Sequence, residues 1–310
     1  MSNQTKGVIY AAITAFFWGF LAIALKVAVR KVDPHTIVWF RFLVAFVFLL
    51  GWQLYKNPSS LKILIKPPWL LIVAAVGLSW NYLGFMLGIH YTTPSNAQLF
   101  IQFGPMMLAL SGFLIFKERL SKMQLAGFLV ALLGFAFFYS DQLRAFFAGK
   151  DQYNMGVLLT LSGALAWTVY AVTQKKLVTK YPAPMLNLFL FGFPTLIYLP
   201  VVDLEPVFEL NWAWWLLLIF LGFNTLIAYS SLAQALRFIE ANKVSVILFV
   251  NPIITFITMG ILTYLSVDWI PHERFSAMTI LGASLVIAGA VLVVKKSKKK
   301  EVSSPNASPE

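Results

Sequence analysis

Four amides and six aromatic rings are the side chains in this sequence best equipped for chemistry. Asn81, Gln98, Gln102 and Asn224 interrupt otherwise apolar runs, and Gln98 and Gln102 stand four residues apart, on one face of any helix that carries them. Trp18, Trp80 and Trp167 sit in similar runs, as do Tyr82, Tyr170 and Tyr229. Amides supply hydrogen bonds, and ring faces hold apolar bodies or cations, so this is equipment for binding. Bond-making chemistry is poorly supplied. The chain has no Cys, its His residues (His35, His90 and His272) fall near the ends of apolar runs, and no Asp or Glu lies deep inside one. Ser79 and Ser284 lie in small-residue contexts but have no mid-run base beside them. The expectation is a protein that is not an enzyme, with no metal site and no cofactor.

The elements that must position these groups are set by composition. Of 310 residues, 59 % are hydrophobic and only 12 % charged, against roughly a quarter charged in soluble domains, which excludes a water-soluble fold. A helix needs about 20 apolar residues to cross the hydrocarbon core. Ten stretches qualify, at approximately 7–29, 35–54, 68–90, 95–116, 122–139, 155–178, 184–202, 212–236, 243–265 and 275–294. A membrane barrel would alternate apolar with polar residues, whereas 70–76 is apolar on every side. The expected fold class is an all-α integral membrane protein whose partner is the lipid bilayer. The first span is too long for a signal-peptide core and is read as a helix.

The net charge of +12 is an orientation signal before it is an invitation to nucleic acid, and no nucleic-acid partner is expected. With both termini cytoplasmic, 17 Lys and Arg fall on the inner side and five on the outer, where eight of the twelve acids also lie. The tail 295–310 opens with a Lys-rich cluster and reads as a disordered cytoplasmic end. Seven Trp near span ends, including Trp39, Trp69 and Trp212, read as an interfacial belt.

Two cations stay inside spans. Lys26 and Arg41 lie toward the outer ends of theirs, where long side chains can snorkel to the interface. The alternative is a positive vestibule that attracts carboxylates, with Lys175 giving the mirrored charge at the cytoplasmic mouth. Glu118 and Glu273, at span ends, either pair with neighbouring cations or form a gate at each end.

The sequence repeats itself. A shift of 149 aligns Trp18 with Trp167 and Lys26 with Lys175; a shift of 147 aligns Tyr82 with Tyr229 and Pro105 with Pro252. A shift of 155 aligns 118–121 (ERLS) with 273–276 (ERFS), which implies an extra segment near 266–272. Each half holds five spans, an odd number, so the second half enters the membrane in the opposite sense. The chain therefore divides into a cytoplasmic N-terminus (1–6), a first five-helix repeat (7–139), an outer linker (140–154), a second five-helix repeat (155–294) and the tail. Inverted repeats place a substrate site near mid-membrane between the halves. Pro105 and Pro252 are the helix-break candidates, because proline removes a backbone donor.

Trp18-Gly19 in the first span, Arg41 early in the second, 91–97 (YTTPSNA) entering the fourth, Pro105, and 118–121 after it resemble the ten-helix drug/metabolite transporter superfamily, EamA branch. The second half repeats these motifs more weakly, with Asn251-Pro252 and Glu273. The resemblance implies a small-solute carrier, often an exporter of amino acids or related metabolites; separately, an inner (plasma) membrane is the simplest location. On that reading the substrate path is lined by Trp18, Asn81, Tyr82, Gln98, Gln102, Trp167, Tyr170, Asn224 and Tyr229. Alternatives are a multidrug or sugar/nucleotide-sugar carrier, or a non-transporting membrane scaffold. Glycine pairs seven apart, Gly127/Gly134 and Gly282/Gly289, serve packing within a monomer or between copies of a homodimer, the former preferred.

Overall fold

The computed structural model describes residues 1–118, 121–138, 140, 151–270, 272 and 276–294. They form helices throughout: α1 (Asn3–Ala28), α2 (Pro34–Lys56), α3 (Trp69–Tyr91), α4 (Pro94–Ile101), α5 (Phe103–Leu114), α6 (Lys122–Phe138), α7 (Asp151–Leu177), α8 (Ala183–Tyr198), α9 (Trp212–Phe238), α10 (Ala241–Leu248), α11 (Asn251–Tyr264) and α12 (Ala277–Val294), with short helical turns between some of them. Among the described residues, eight helical stretches are long and apolar enough to cross a membrane, taking α4–α5 and α10–α11 as one stretch each. The apolar helices α6 and α12 are shorter.

Local signals set the ends of these helices. Asp33 caps α2, its Oδ1 accepting from the backbone N–H groups of His35 and Thr36, with Pro34 in the first turn, where a missing N–H costs nothing. Ser121 and Gln124 make a reciprocal capping box at the start of α6, the Gln124 N–H donating to Ser121 Oγ and the Ser121 N–H to Gln124 Oε1. Ser276 does a similar job before α12, accepting from the Thr279 N–H. The recurrence of Ser in the two acid-base-x-Ser runs thus has a local cause: each Ser starts a helix. Glu273 lies outside the described residues, as do Arg119, Leu120, the tail 295–310 and most of the linker 140–154.

The two spans at 95–116 and 243–265, which carry the helix-break candidates Pro105 and Pro252, are each broken in the middle. Proline explains where. Its ring clashes with the carbonyl four residues earlier, and α4 ends at Ile101 while α10 ends at Leu248, four residues before Pro105 and Pro252 respectively. Each proline then falls in the first turn of the following half-helix, α5 or α11.

Three close helix pairs organise the rest: α3 with α7, α1 with α9, and α6 with α12. The small residues of α3 lie in its seam with α7: a Cβ added at Gly84 would stand 2.6 Å from the Leu159 carbonyl oxygen, so the two backbones meet only because that atom is missing. In the α6–α12 seam a Cβ at Gly134 would stand 2.7 Å from the backbone nitrogen of Val286. Gly127, Gly134, Gly282 and Gly289 therefore pack within one chain. Trp52, Trp69 and Trp212 are exposed at helix ends, but Trp39 is not part of that belt: it is buried and its Nε1–H donates to the Thr195 carbonyl.

Candidate functional site

Where α1, α3, α4–α5 and α7 converge with α9 and the start of α11, a cavity is left at the centre of the bundle. Trp18 and Leu21 reach it from α1, and Arg41 from α2. Asn81, Tyr82 and Phe85 come from α3, and Ile101, Gln98, Gln102 and Pro105 from the broken α4–α5. The second half contributes Trp167, Tyr229 and Asn251. Measured at the centres of water molecules, the cavity is about 50 Å³. One water needs roughly 10–15 Å³ by that measure, so the space holds a few waters and is too small in this conformation for an organic solute.

Residues paired by the self-alignment meet here. The Trp18 and Trp167 rings stand edge to face with centroids 5.9 Å apart, and the Tyr82 and Tyr229 rings are 5.4 Å apart. Trp18 also meets Tyr229 at 5.3 Å, which closes a continuous aromatic wall. Such contacts are worth about 0.5–1.5 kcal/mol each beyond simple burial.

The amides are held rather than free. Asn81 Nδ2 donates to the Gly163 carbonyl at 3.1 Å, while its Oδ1 accepts from the Tyr229 hydroxyl at 3.3 Å. Gln98 Nε2 donates to the Trp18 carbonyl at 3.2 Å and to Thr255 Oγ1 at 3.4 Å. Gln102 Nε2 donates to Asn251 Oδ1 at 2.7 Å, joining the break in one split helix to the break in the other. Gln102 Oε1 is buried with no hydrogen-bond partner among the described residues. A buried, unpaired acceptor costs about 1–3 kcal/mol and invites a donor from a solute or water.

Seven of the nine expected path residues line the cavity; two do not. Tyr170 stands behind the wall, its ring 6.4 Å from Trp167 and 5.6 Å from Tyr229. Asn224 stands in the α1–α9 seam instead, its Nδ2 donating to the Phe17 carbonyl at 2.7 Å while its Oδ1 has no partner among the described residues. Trp80, one of the mid-run rings read as equipment for binding, points out of the bundle: it is 42 % exposed and its Nε1–H donates to Ser162 Oγ.

The three vestibule candidates separate. Lys26 Nζ donates to the Ile89 and Thr92 carbonyls at 2.9 and 3.0 Å, at the end of α3. Lys175 Nζ donates to the Leu236 and Ile239 carbonyls at 3.4 and 2.9 Å, at the end of α9. The shift of 147 carries Ile89 and Thr92 onto Leu236 and Ile239, so two aligned lysines cap two aligned helices. Cations suit helix C-termini, where orphan carbonyls and the negative end of the dipole lie, and neither lysine lines the cavity. Arg41 does line it, and it does not snorkel: it is 2 % exposed, with Nε donating to Thr225 Oγ1 at 3.2 Å and the guanidinium 4.3 Å from the centre of the Tyr82 ring.

Glu118 ties the two halves of the chain together at one end of the bundle. Its Oε1 accepts from the Ala241 N–H at 2.8 Å and its Oε2 from the Asn242 N–H at 3.1 Å, at the N-terminus of α10. Lys175 Nζ stands 3.5 Å from the same carboxylate.

Sequence reasoning missed Thr225, Thr255 and Asn251 as site residues. The signal for Asn251 was available, since it immediately precedes the proline that breaks its helix. Thr225 and Thr255 carry no such mark, because threonine in an apolar helix commonly bonds back to its own turn.

Similarity to known proteins identifies the family. The model of the EamA-like transporter family matches residues 5–140 and 154–295. The chain is 35 % identical to an uncharacterized transporter of Haemophilus influenzae, over 92 % of this chain and 94 % of that one. It is 31 % identical to the uncharacterized inner membrane transporter YhbE of Escherichia coli, over 92 % and 90 % of the two chains. A solved chain described only as a crystal structure of a protein superposes with a TM-score of 0.71 over 94 % of this chain and 97 % of that one; at 17 % identity the likeness is one of fold.

Proposed function

The chain belongs to the EamA-like transporter family and is a multi-pass inner-membrane protein, and from that premise we propose that it is a secondary carrier exporting a small amphipathic metabolite, such as an amino acid, by alternating access. On this reading α6 and α12 complete ten spans, five in each of two inverted repeats, with both termini cytoplasmic as the charge distribution asks. The observation that carries the proposal is the central aromatic wall, where Trp18 meets Trp167 and Tyr82 meets Tyr229 across the junction of the two halves. The matching lysine caps, Lys26 on α3 and Lys175 on α9, support the repeat. The wall takes the apolar part of a solute, and the amides Asn81, Gln98 and Gln102 take its polar part.

The small cavity belongs to a closed state, and opening toward either side is the motion that admits a solute. Glu118 is the gate at the cytoplasmic end, where it holds the first half of the chain to the start of α10 and to Lys175. Among the described residues, none around the cavity is a carboxylate or a histidine, which argues for coupling to the solute gradient rather than to protons carried by a buried acid.

The test is flux from liposomes containing the purified protein, loaded in turn with labelled aromatic amino acids, branched amino acids, cationic dyes and sugars. Efflux of one amphipathic class, abolished when Ile101→Trp fills the cavity, is the expected result. A folded protein that moves none of these solutes contradicts the proposal.

A further inference from the structure

We propose that Arg41 sets the class of substrate: the solute carries a single anionic group, of the carboxylate type, that pairs with the Arg41 guanidinium inside the cavity. This deepens the carrier reading above and rests on it. The argument begins from how differently the cations within the bundle are treated. Lys26 gives its ammonium to two helix-end carbonyls. Lys175 gives its own to two carbonyls and to Glu118. Arg41 is more deeply buried than either, yet its polar neighbours are neutral hydroxyls, that of Thr225, to which Nε donates, and that of Tyr82, and among the described residues it makes no ion pair.

A charge in that position is costly, because removing an ion from water is repaid only by an opposite charge and by hydrogen bonds to its remaining donors. The usual escape, losing the charge, is closed to arginine, which keeps its proton in proteins. The Tyr82 ring at 4.3 Å offsets part of the cost through its negative face. It leaves the guanidinium without an anionic partner among the described residues. The Nη groups form a planar fork that matches the two oxygens of a carboxylate. They belong to a residue that lines the central cavity, to which both halves of the chain contribute, beside Trp18 and Trp167, whose rings would hold an apolar body attached to that carboxylate.

Two consequences follow from the sign of the charge. A cationic solute of the same shape is repelled, and a neutral amide binds more weakly because it leaves the guanidinium unpaired. The experiment compares phenylacetate, phenylacetamide and phenethylammonium, which share one aromatic body and differ in charge, as competitors of whichever labelled solute the liposome panel finds to move. The expected order is phenylacetate strongest, by about tenfold over the amide, which corresponds to about 1.4 kcal/mol, with no competition from the cation. Arg41→Gln reduces the carboxylate preference to within about twofold, and Arg41→Lys, which keeps the charge but not the fork, retains an intermediate preference. The comparison in the unaltered protein stands even where Arg41→Gln does not fold. A carrier that moves a panel solute but ignores phenylacetate, or takes phenylacetamide equally well, overturns the assignment and leaves transport standing. A protein with no flux for any solute overturns both.

Discussion

Trp18 and Trp167, 149 residues apart in sequence, stand edge to face with ring centroids 5.9 Å apart, and together they form the centre of the cavity wall. Each is buried and each stands on a helix that packs against the opposite half of the chain, α1 on α9 and α7 on α3. Their roles should therefore match. Trp18→Ala and Trp167→Ala are each expected to lower stability by about 3–5 kcal/mol, the usual cost of truncating a buried large ring, and to reduce solute flux at least about tenfold. Trp18→Phe and Trp167→Phe keep a ring in place and should keep most of both. Thermal unfolding in detergent and liposome flux, measured side by side, check the symmetry of the pair.

Lys26 and Lys175 are expected to be structural. Replacing either with Gln removes a charge-assisted cap from two carbonyls, at a cost of about 1–3 kcal/mol. Their ammonium groups already have partners, so selectivity between anionic and neutral solutes should be unchanged in Lys26→Gln. The same competition assay that reads Arg41 reads this, and a lost preference in Lys26→Gln would move the anion site to the end of α3.

Glu118→Ala leaves two backbone N–H groups at the start of α10 without their acceptor and Lys175 without its acid. A lost cap costs about 0.5–2 kcal/mol. If Glu118 gates, the loss falls on the closed state, and a cysteine placed in the cavity becomes more accessible from the cytoplasmic side. Accessibility identical to that of the parent protein would assign Glu118 to helix capping alone.

Flux is expected to persist when an imposed pH gradient is collapsed, and to vary little between about pH 6 and 8. The cavity is lined by Arg41, amides, tyrosines, tryptophans and aliphatic groups, none of which titrates ordinarily in that range. An absolute requirement for a pH gradient in proteoliposomes would show that a proton carrier lies elsewhere on the path.

Much of this site is legible in the amino-acid sequence. The amides and mid-span aromatics at positions 18, 81, 82, 98, 102, 167 and 229 stand out because polar groups in apolar spans are costly and need a reason. The failures have physical causes too. Asn224 looks like a path residue from its mid-span position, yet the NH2 of an Asn inside a bundle can equally be held by a neighbouring helix's carbonyl, and nothing in the sequence points to the Phe17 carbonyl as its partner. Trp80 shares a helix with Asn81 and Tyr82, but one residue rotates a helical side chain by about 100°, which turns it out of the bundle. The helix breaks at Gln102 and Phe249 are half legible: the prolines are plain, but that the two breaks meet through Gln102 and Asn251 depends on tertiary packing. Lys26 and Arg41 look alike in sequence, and what separates them is tertiary: the carbonyls beside Lys26 and the cavity beside Arg41.

The central claim is that one cavity between the two halves opens in turn to each side of the membrane. The chain has no native cysteine, so Ile101→Cys, at a lining position that makes no side-chain hydrogen bond, gives a single reporter without a cysteine-free background having to be built. The measurement is its labelling by a membrane-impermeant maleimide in right-side-out and inside-out vesicles, with and without the transported solute. Labelling from both sides, slowed from both by the solute, is the predicted result. Labelling from one side only, or from neither, under every solute and gradient condition would contradict alternating access through this cavity.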